Sequence, residues 1–579
     1  MSRFYCREAL IRPEGFILTL RVSKPGLREM KFFLRRQGTL PLLLGMLLLM
    51  TGCMKVGPDF SRPATSVSPG WVETDDSRVK TSPANYRAWW EVFNDPVLNR
   101  VVERAYAENL SLRVAGVRVL EARAQLGIAV GNLYPQTQQA SGSVIYSKAS
   151  QYSSFFAASG SSGQTNDRGP GESSSQTGVA SGAGLSNWQT QINLSAVWEI
   201  DFWGKFRRAV ESADATLRMT LADYDSALVS LTADTANSFI QIRTLEKRLQ
   251  IARENVETQK ESLRIAEARF HGGTTTERDV DQARTVLFNT RASIPLLEAQ
   301  LRQAKNALCI LMGIPPGDLS ELLAESKDIP LPPPQVAVGI PADLLRRRPD
   351  VRSAELQAVA QCAQIGIAQA DLLPAFSITG SFGFLASDAG SSKLSNLFNW
   401  KARQGSAGPS FQWNILNYGR ITNNVRVQDA RFQELLLSYQ NTVLTAQREV
   451  EDGIAGFLRA QENAEYLSLS VGAAKSSLEL AFIQYKQGST DFTTVLTAQQ
   501  ALLSAQDSFA SALGSIAGDL VAIYRALGGG WEMREGGEIV PPEIRETMSK
   551  RTNWGNLLSP EAYMSHEPVE TTTIRFPDW

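Results

Sequence analysis

The feature that most constrains this fold is a pair of very long helical segments, one in each half of the chain. The segments Gly204–Gly273 and Gly419–Gly488 contain no proline. At roughly 1.5 Å of rise per residue, a helix of either length measures about 100 Å, which exceeds the core of an ordinary globular domain. Apolar residues recur in both at spacings of three and four, the heptad pattern of coiled coils. They are Leu217, Leu221, Tyr224, Leu228 and Leu231 in the first segment and Phe432, Leu436, Tyr439, Val443, Ala446 and Val450 in the second.

The two segments belong to an internal repeat with a constant offset. Trp198-Glu-Ile-Asp-Phe-Trp-Gly204 matches Trp413-Asn-Ile-Leu-Asn-Tyr-Gly419, and Phe270-His-Gly-Gly273 matches Tyr485-Lys-Gln-Gly488 at the same separation. Because no insertion separates these landmarks, each half contains an element of constant length.

A shorter helix is expected after each long one. Asp279 to Met312 and Asp491 to Leu527 are periodic, and the glycines before them are common helix-terminating residues. Each half is therefore predicted to form a helical hairpin. Pro295 is expected to interrupt and bend the shorter helix of the first hairpin.

Segments with alternating apolar and polar residues precede both long helices. Residues 188–202, 376–384 and 411–415 alternate clearly, and residues 136–147 do so more weakly. The pattern, with aromatic residues near the ends, is typical of a transmembrane β-barrel, but a soluble sheet with one buried face would show it too. Each half is predicted to give strand, loop and strand. The first strands of the two halves begin near Pro135 and Pro374. These prolines are separated by more residues than the corresponding helical landmarks are, because the loop between the strands is longer in the first half.

Four strands are too few to close a barrel, since known small barrels have roughly eight. An open edge in lipid would leave backbone groups without hydrogen bonds. We therefore expect copies of the chain to share one barrel. Three copies would supply 12 strands, whereas two would give a filled barrel of eight. The predicted fold class is mixed α and β: a trimeric 12-stranded transmembrane β-barrel continued by a long α-helical coiled-coil tunnel.

The N-terminus contains an export signal. Residues 30–36 include the three basic residues Lys31, Arg35 and Arg36, residues 40–50 are mostly apolar, and Thr51-Gly52-Cys53 follows. This is the organisation of a secretory signal peptide, and the apolar run is shorter than the roughly 20 residues of a membrane-spanning helix. Leu49-Met50-Thr51-Gly52-Cys53 also resembles a bacterial lipobox, which implies lipidation of Cys53, palmitate included, and sorting to the outer membrane. Our hypothesis is that translation begins at Met30 and that residues 1–29 precede the true start.

The composition argues against several classes of protein. The 58 basic residues balance 59 acidic ones, so no nucleic-acid partner is expected. His271 and His566 are far apart, and catalytic motifs are absent from the sequence, so we expect neither an enzyme nor a cofactor. Cys309 and Cys362 could form a disulfide in the periplasm. Their apolar surroundings favour two small buried side chains instead.

Four motifs occur in a characteristic order along the chain. They are Val56-Gly57-Pro58-Asp59-Phe60, Trp89-Trp90-Glu91-Val92-Phe93-Asn94-Asp95-Pro96, Trp198 to Gly204, and Leu345-Arg-Arg-Arg-Pro349-Asp350-Val351-Arg352. Together they resemble the TolC-type outer-membrane factors, in the lipoprotein (NodT-like) branch of multidrug efflux channels, over residues 56–531. The resemblance implies a trimer with an equatorial domain around the tunnel, formed near residues 89–109 and 318–350 and by the C-terminal part.

The predicted organisation of the chain follows from the signal, the repeat and this resemblance. It comprises a possible extension (1–29), a lipoprotein signal peptide (30–52), an N-terminal anchor and equatorial segment (53–110), a first repeat (111–317), a linker and equatorial segment (318–350), a second repeat (351–527) and a C-terminal tail (528–579).

The resemblance also implies a function. The chain would be the outer-membrane exit duct of a tripartite efflux system, a passive trimeric channel for small molecules. Its partners would be a periplasmic adaptor protein, an inner-membrane pump and outer-membrane lipid. Two alternatives stay open: an exit duct for protein secretion, and a lipid-anchored structural coiled-coil protein without a pore. The second does not account for strands that are duplicated together with the helices.

Two sets of site residues follow from the position of the hairpin tips. The family binds its adaptor at the tips, which correspond here to Gly273, Thr274, Thr275, Gly488, Ser489 and Thr490. The same glycines would also serve as plain helix ends.

The family closes its tunnel with a ring of aspartates just after the second tip. Thr494 and Thr497 occupy those positions, and an uncharged ring would select less strongly for cations. Asp491, one turn earlier, is the candidate substitute. The predicted gate also includes Tyr485, Arg278 and Asp279, which lie where the family has gate-holding contacts.

Arg346-Arg347-Arg348 is a basic run before Pro349. It could contact lipid or a partner. The general exposure of charged residues favours a solvated surface turn.

Overall fold

The computed structural model describes residues 55–82, 85–148, 186–324, 328–341, 347–388 and 393–559. The predicted signal peptide, Cys53 and Arg346 lie outside these ranges. The helices are α1 (Pro96–Glu108), α2 (Leu110–Gly131), α3 (Lys205–His271), α4 (Glu277–Leu311), α5 (Pro349–Ala370), α6 (Arg420–Lys486), α7 (Phe492–Ala526) and α8 (Pro542–Arg551). The strands are β1 (Val79–Lys80), β2 (Thr137–Lys148), β3 (Ser186–Ile200), β4 (Val336–Ala337), β5 (Ala375–Ser387) and β6 (Arg403–Gln412).

The two helical hairpins have identical lengths. Both α3 and α6 contain 67 residues, and both α4 and α7 contain 35. The constant offset read from the sequence holds at both ends of each pair of corresponding helices. The four predicted helices are thereby confirmed.

Pro295 does not interrupt α4, so that prediction is wrong. The helix continues from Glu277 to Leu311 with the proline inside it. A proline removes one N–H donor and crowds the preceding turn. Leu287 before the proline and Leu297 beyond it are both buried in the hairpin, and this packing stabilises the helix on both sides of the proline.

Strands β2, β3, β5 and β6 form an antiparallel sheet in that order. Its register places apolar residues opposite one another, as in Leu194 with Phe382, and polar residues likewise, as in Ser195 with Ser381. One face is thus apolar and the other polar. Leu194 on the apolar face is 57% exposed. None of the described helices is long and apolar enough to cross a membrane.

The fourth strand differs from its prediction. It begins at Arg403 and ends at Gln412, so Trp413 and Ile415, which were assigned to it by alternation, follow the strand. The indole Nε1 of Trp413 donates a hydrogen bond to the carbonyl of Leu372 at 3.0 Å, which draws the chain out of the sheet.

Segments distant in sequence surround the middle of α3, α6 and α7. A 3-10 helix at Trp89–Phe93, helix α1 and the chain after α7 share one apolar core with these helices. The ring of Trp89 stacks on Tyr524 with 5.4 Å between centroids. Cys309 and Cys362 are buried thiols that form no disulfide, so the prediction of two small buried side chains is confirmed.

An extended segment at the start of the described chain follows the outside of α5 and α6. The N–H of Val56 donates to the carbonyl of Trp203 at 3.0 Å, at the junction of β3 and α3. Arg62 forms two hydrogen bonds to the carboxylate of Glu355, at 2.6 and 2.8 Å. These contacts hold the segment from Val56 to Arg62 against the start of α3 and against α5.

Arg347 is partly buried and Arg348 is buried, which corrects the prediction of an exposed turn. Arg347 pairs with Glu532 and lies over the ring of Tyr86, 3.5 Å from its centroid. Arg348 is buried, and its guanidinium bonds to Asp350, to Glu449 and to the carbonyl of Ala526. Acidic groups from distant parts of the chain neutralise both residues, which offsets part of the cost of burying them.

Candidate functional site

Both hairpins end in the same backbone turn. Gly273 and Gly488 have φ angles of 71° and 78°, a left-handed conformation that favours glycine. In the first turn, Thr274 N–H donates to the carbonyl of Arg269 at 2.9 Å. In the second, Ser489 N–H donates to the carbonyl of Gln484 at 3.0 Å. This is the Schellman motif, which satisfies the last carbonyls of a helix.

The side chains of the turns repeat as well. The hydroxyls of Thr274 and Ser489 donate to the same carbonyls as their own amides, at 3.1 and 3.0 Å. Thr275 donates to Asp279, and at the matching positions Thr490 donates to Thr494 at 3.1 Å. The two tips therefore share one hydrogen-bond pattern and are rich in hydroxyl groups, and most of their residues are exposed to solvent.

A contact between the hairpins lies just behind the tips. The guanidinium of Arg269 stands 4.4 Å from the ring centroid of Tyr485 and donates to the backbone carbonyl of that residue. The ring of Tyr485 lies 5.0 Å from that of Phe492. Tyr485 is 3% exposed, and its hydroxyl has no hydrogen-bond partner among the described residues. Arg269 of the first hairpin thus binds the end of α6, next to an apolar cluster that both hairpins share.

The other predicted gate residues fall into two groups. Asp491, Thr494 and Thr497 lie on one exposed stripe of α7, and Asp491 precedes the helix without a side-chain capping bond. Arg278 and Asp279 lie on the first hairpin, with 3.8 Å between Arg278 Nε and Asp279 Oδ1. In the described part of the chain, Asp279 bonds to Thr275 of its own turn and does not contact Tyr485.

Arg269 and Phe492 were not predicted from the sequence. A signal for both was present, because each lies within about one turn of a tip glycine, where the ends of two hairpins must meet. The partner of Arg269 is 216 residues away, so periodicity within one helix could not reveal it. Metal binding has no comparable basis: the described residues contain no cluster of three His, Cys, Asp or Glu side chains that could hold an ion.

Two equal helical hairpins joined to a sheet with one apolar face are the architecture of a channel that continues from a membrane into an aqueous compartment. The family model described as "Outer membrane efflux protein" matches residues 101–314 and 340–529, which contain the two repeats. The chain belongs to this family, whose members are channels and not enzymes. It is an outer-membrane efflux channel of the bacterial cell, and it extends into the periplasm.

Named relatives support this assignment over nearly their full lengths. Nodulation protein T of Rhizobium leguminosarum bv. viciae is 30% identical over 486 residues, which cover 84% of this chain and 92% of that protein. The solvent efflux pump outer membrane protein SrpC of Pseudomonas putida is 30% identical over 501 residues, covering 84% and 98%. The solved structure of the outer-membrane channel OprN has a TM-score of 0.72 at 32% identity, covering 82% of this chain and 99% of that one.

Proposed function

We propose that three copies of this chain form the passive exit duct of a tripartite efflux system for small molecules. Each copy contributes four strands to a 12-stranded barrel in the outer membrane and two hairpins to a helical tunnel. An inner-membrane pump supplies the transport energy, and a periplasmic adaptor binds the exposed tips. The duct needs no catalytic residue, because its function rests on the geometry of the tube.

The observation that carries this proposal is the junction between the two repeats inside one chain. Strand β3 of the first repeat pairs with β5 of the second, while β2 and β6 are the edges of the sheet. An edge strand in lipid needs a partner. If the junction inside the chain recurs between copies, β6 pairs with β2 of a second copy and no edge remains.

The register inside the chain shows which strand residues of the two repeats correspond. Thr137 pairs with Val197 in the first repeat, and Ala375 pairs with Gln412 in the second. The offset that relates the helices also relates Val197 to Gln412, so β3 and β6 correspond without an insertion. Thr137 and Ala375 are then counterparts in β2 and β5.

This correspondence predicts the register between copies. Within the chain Ser195 of β3 pairs with Ser381 of β5. The counterpart of Ser195 in β6 is Ser410, and the counterpart of Ser381 in β2 is Ser143. The proposed closure therefore places Ser410 opposite Ser143 of a second copy, with both side chains on the polar face.

An exposed aromatic residue at the end of the sheet supports the same closure. The indole Nε1 of Trp203 donates to the carbonyl of Pro374 at 2.8 Å, across the junction between the repeats. Its repeat counterpart is Tyr418, which is 96% exposed. Tyr418 would meet a second copy near Pro135, which precedes β2 as Pro374 precedes β5. Association therefore covers an aromatic side chain that a monomer leaves in water.

The position of Lys55 supports the lipid anchor. Val56 is bonded to Trp203 at the junction of the sheet and α3, where the membrane would end. Cys53 precedes Lys55 by two residues, a reach of about 7 Å at most in an extended chain. A lipid on Cys53 would thus enter the bilayer directly beside the barrel.

The experiment is a cysteine cross-link in the complete, membrane-inserted protein. Ser410→Cys combined with Ser143→Cys should give covalent dimers and trimers on oxidation, and no larger species, because a closed ring of three has three such junctions. The control combines Ser410→Cys with Val144→Cys, which lies on the opposite face and should cross-link poorly. Cys309 and Cys362 are buried and do not compete. Equal cross-linking of both pairs, or ladders beyond the trimer, would refute the proposed closure.

A further inference from the structure

The end of the four-stranded sheet that lies away from the helices is positively charged. This outer end comprises the last residues of β2, the first residues of β6 and the described part of the chain between β5 and β6. It carries four exposed cations without an ion pair to any described residue, namely Lys148, Lys393, Lys401 and Arg403. Asp388 is the single acidic residue of this end within the described ranges, and it accepts a hydrogen bond from the N–H of Trp188 at 2.6 Å. The described residues therefore leave a positive charge here uncompensated.

Two of the four cations lie on the apolar face of the sheet, at its opposite edges. Lys148 ends β2 two positions after Tyr146, which pairs with Trp188, so its Cβ is on the same face as those rings. Arg403 begins β6 and pairs with Phe384 of the same face. The strands β2 and β6 are the edges of the sheet. Both cations therefore stand where the lipid-facing band of the proposed barrel would end.

The proposed closure of the barrel brings these two cations together. With Ser410 opposite Ser143 of a second copy, Gly405 lies opposite Lys148 of that copy. Arg403 is then the diagonal neighbour of that lysine on the same face, with about 7–8 Å between the Cα atoms. Two positive charges at this distance repel, and the repulsion grows beside lipid, where the dielectric constant is low. An anion between them converts the repulsion into two attractions.

The guanidinium of Arg403 is held in place by its own loop. It lies 4.7 Å from the ring centroid of Trp400, and its Nη1 donates to the carbonyl of that residue at 2.8 Å. Its planar fork suits a phosphate, which accepts two N–H groups at once. The rings of Trp400 and Phe398 are 64% and 76% exposed, and exposed aromatic rings beside a barrel are typical of the membrane interface. The outer end thus suits a ligand with a phosphate head and hydrocarbon chains.

We propose that Arg403 of one copy and Lys148 of the next bind the phosphate of an anionic lipid in the outer leaflet, with one lipid at each junction between copies. This inference rests on the proposed function, because the closed barrel creates the junction. The phosphate oxygens accept charge-assisted hydrogen bonds from both cations, and the acyl chains lie against the apolar face. Lys393 and Lys401 add to the positive potential that attracts the lipid. The lipid thereby joins neighbouring copies at a level where their own side chains repel.

The first test measures lipid binding by the complete purified trimer in detergent, with native mass spectrometry as the readout. The probe is diphosphorylated lipid A, which should occupy three sites per trimer. Arg403→Gln combined with Lys148→Gln should raise the lipid concentration for half occupancy about tenfold, because both charge-assisted bonds are lost. Lys475→Gln, the same change at an exposed lysine of α6, should leave that concentration unchanged. Equal affinities in the wild type and the double variant would overturn the proposal.

Two further probes separate a lipid phosphate from phosphate alone. Lipid A without phosphates should bind the wild type as weakly as the diphosphorylated lipid binds the double variant. Inorganic phosphate should not displace the bound lipid at equal concentration, since it lacks the acyl chains that contact the apolar face. Displacement at equal concentration would identify a simple anion site and refute a lipid ligand.

A charge reversal provides the second test. Lys148→Glu places a carboxylate beside Arg403 of the neighbouring copy, so the trimer should resist thermal dissociation without lipid at least as well as the wild type. Added diphosphorylated lipid A should raise the dissociation temperature of the wild type and leave that of the variant unchanged. A variant that gains as much from the lipid as the wild type would contradict the site.

The cross-link between copies distinguishes a failure of this site from a failure of the proposed function. If Ser410→Cys and Ser143→Cys do not cross-link, the closure is wrong and the site falls with it. Cross-linked trimers that bind the diphosphorylated lipid no better than the dephosphorylated one would refute this inference alone.

Discussion

Arg534 and Asp225 form an ion pair in which each side chain is only 2% exposed, and the pair joins the C-terminal segment to the middle of α3. Arg534 Nη2 lies 2.9 Å from Asp225 Oδ2, across 309 positions of sequence. Burial alone lowers the pKa of Arg534, but the hydrogen bond and the charge of Asp225 outweigh it, so that pKa lies above its ordinary value. The contact anchors the chain that follows α7 to the middle of α3.

Removing one partner of this pair should be costly. Asp225→Ala leaves a buried guanidinium without its counter-charge, and the expected loss is about 3–5 kcal/mol in the free energy of unfolding. Denaturant titration of the purified protein measures it. The matched control is Asp234→Ala, which breaks the half-exposed pair with Arg525 and should cost less than about 1 kcal/mol. Equal losses in the two variants would show that burial of the pair has no energetic consequence.

Alanine in place of either tip glycine should destabilise the protein, whereas alanine in place of a glycine inside a helix should stabilise it. Gly273→Ala and Gly488→Ala force a left-handed backbone onto a residue with a Cβ, at a cost of about 1–2 kcal/mol each. Space is not the cause, because a Cβ at Gly273 meets no atom within 4 Å. Gly472 lies inside α6 and is also unobstructed, so Gly472→Ala should stabilise by about 0.5–1 kcal/mol. Local hydrogen exchange at each site gives the sign, and protection that rises in all three variants would contradict the prediction.

Asp519 on α7 should make the stability of the protein depend on pH. Burial raises the pKa of its carboxyl above the ordinary 3.8, and it has no hydrogen-bond partner among the described residues. The native state therefore holds this proton to a higher pH than the unfolded state does. Stability is lost as pH rises through the native pKa and is recovered as pH falls below the ordinary value.

Asp519→Asn tests this dependence directly. The variant should be more stable than the wild type at pH 7, and the difference should shrink as the pH falls toward 4. Thermal unfolding midpoints of the two proteins over that range provide the measurement. Asp507, which pairs with Arg248 at 2.7 Å on the same helix, offers the control: Asp507→Asn should destabilise at pH 7.

The repeat explains how much of this fold the sequence predicts. Helix boundaries follow from glycines and from a heptad pattern that recurs without insertions, because both signals are local. The strand faces follow from alternation for the same reason. Corresponding residues of β2 and β5 cannot be found by counting from the prolines before them. Ala375 follows Pro374 directly, whereas Gln136 separates Thr137, the counterpart of Ala375, from Pro135. Only the register of the sheet reveals this shift.

Contacts between distant segments account for what was missed. Arg347 and Arg348 form a charge run, which on average is exposed, but Glu532 and Glu449 lie 185 and 101 residues away and neutralise them. In the sequence, Arg269 looks like any other charged residue of the long helix. Only the structure shows that its guanidinium lies over the ring of Tyr485 on α6. Periodicity within one helix does not show these pairings, because the partners are 101 to 216 residues apart.

The contact of Arg269 with Tyr485 should keep the tips together. Arg269→Ala removes a cation–π contact worth about 0.5–2 kcal/mol together with a hydrogen bond, so the duct should open more often. Tyr485→Phe keeps the ring and removes only a hydroxyl that has no partner among the described residues, and it should leave the open fraction unchanged. Single-channel recording distinguishes the two. An Arg269→Ala channel that opens no more often than the phenylalanine variant would exclude this contact from the gate.

Asp491 should set the ion selectivity of the closed end. It is the exposed acidic residue at the start of α7, on the same stripe as Thr494 and Thr497, and three copies would place three carboxylates around the axis. A ring of carboxylates attracts cations, whereas hydroxyls do so weakly. Asp491→Asn should therefore lower the cation-to-anion permeability ratio, and Thr494→Asp should raise it by adding a second ring. Reversal potentials in planar bilayers under a salt gradient report both changes. Glu277, an exposed acidic residue in the first turn of α4, provides the matched control as Glu277→Gln. A Glu277→Gln channel that loses as much cation selectivity as Asp491→Asn would mean that the stripe has no special place on the conduction path.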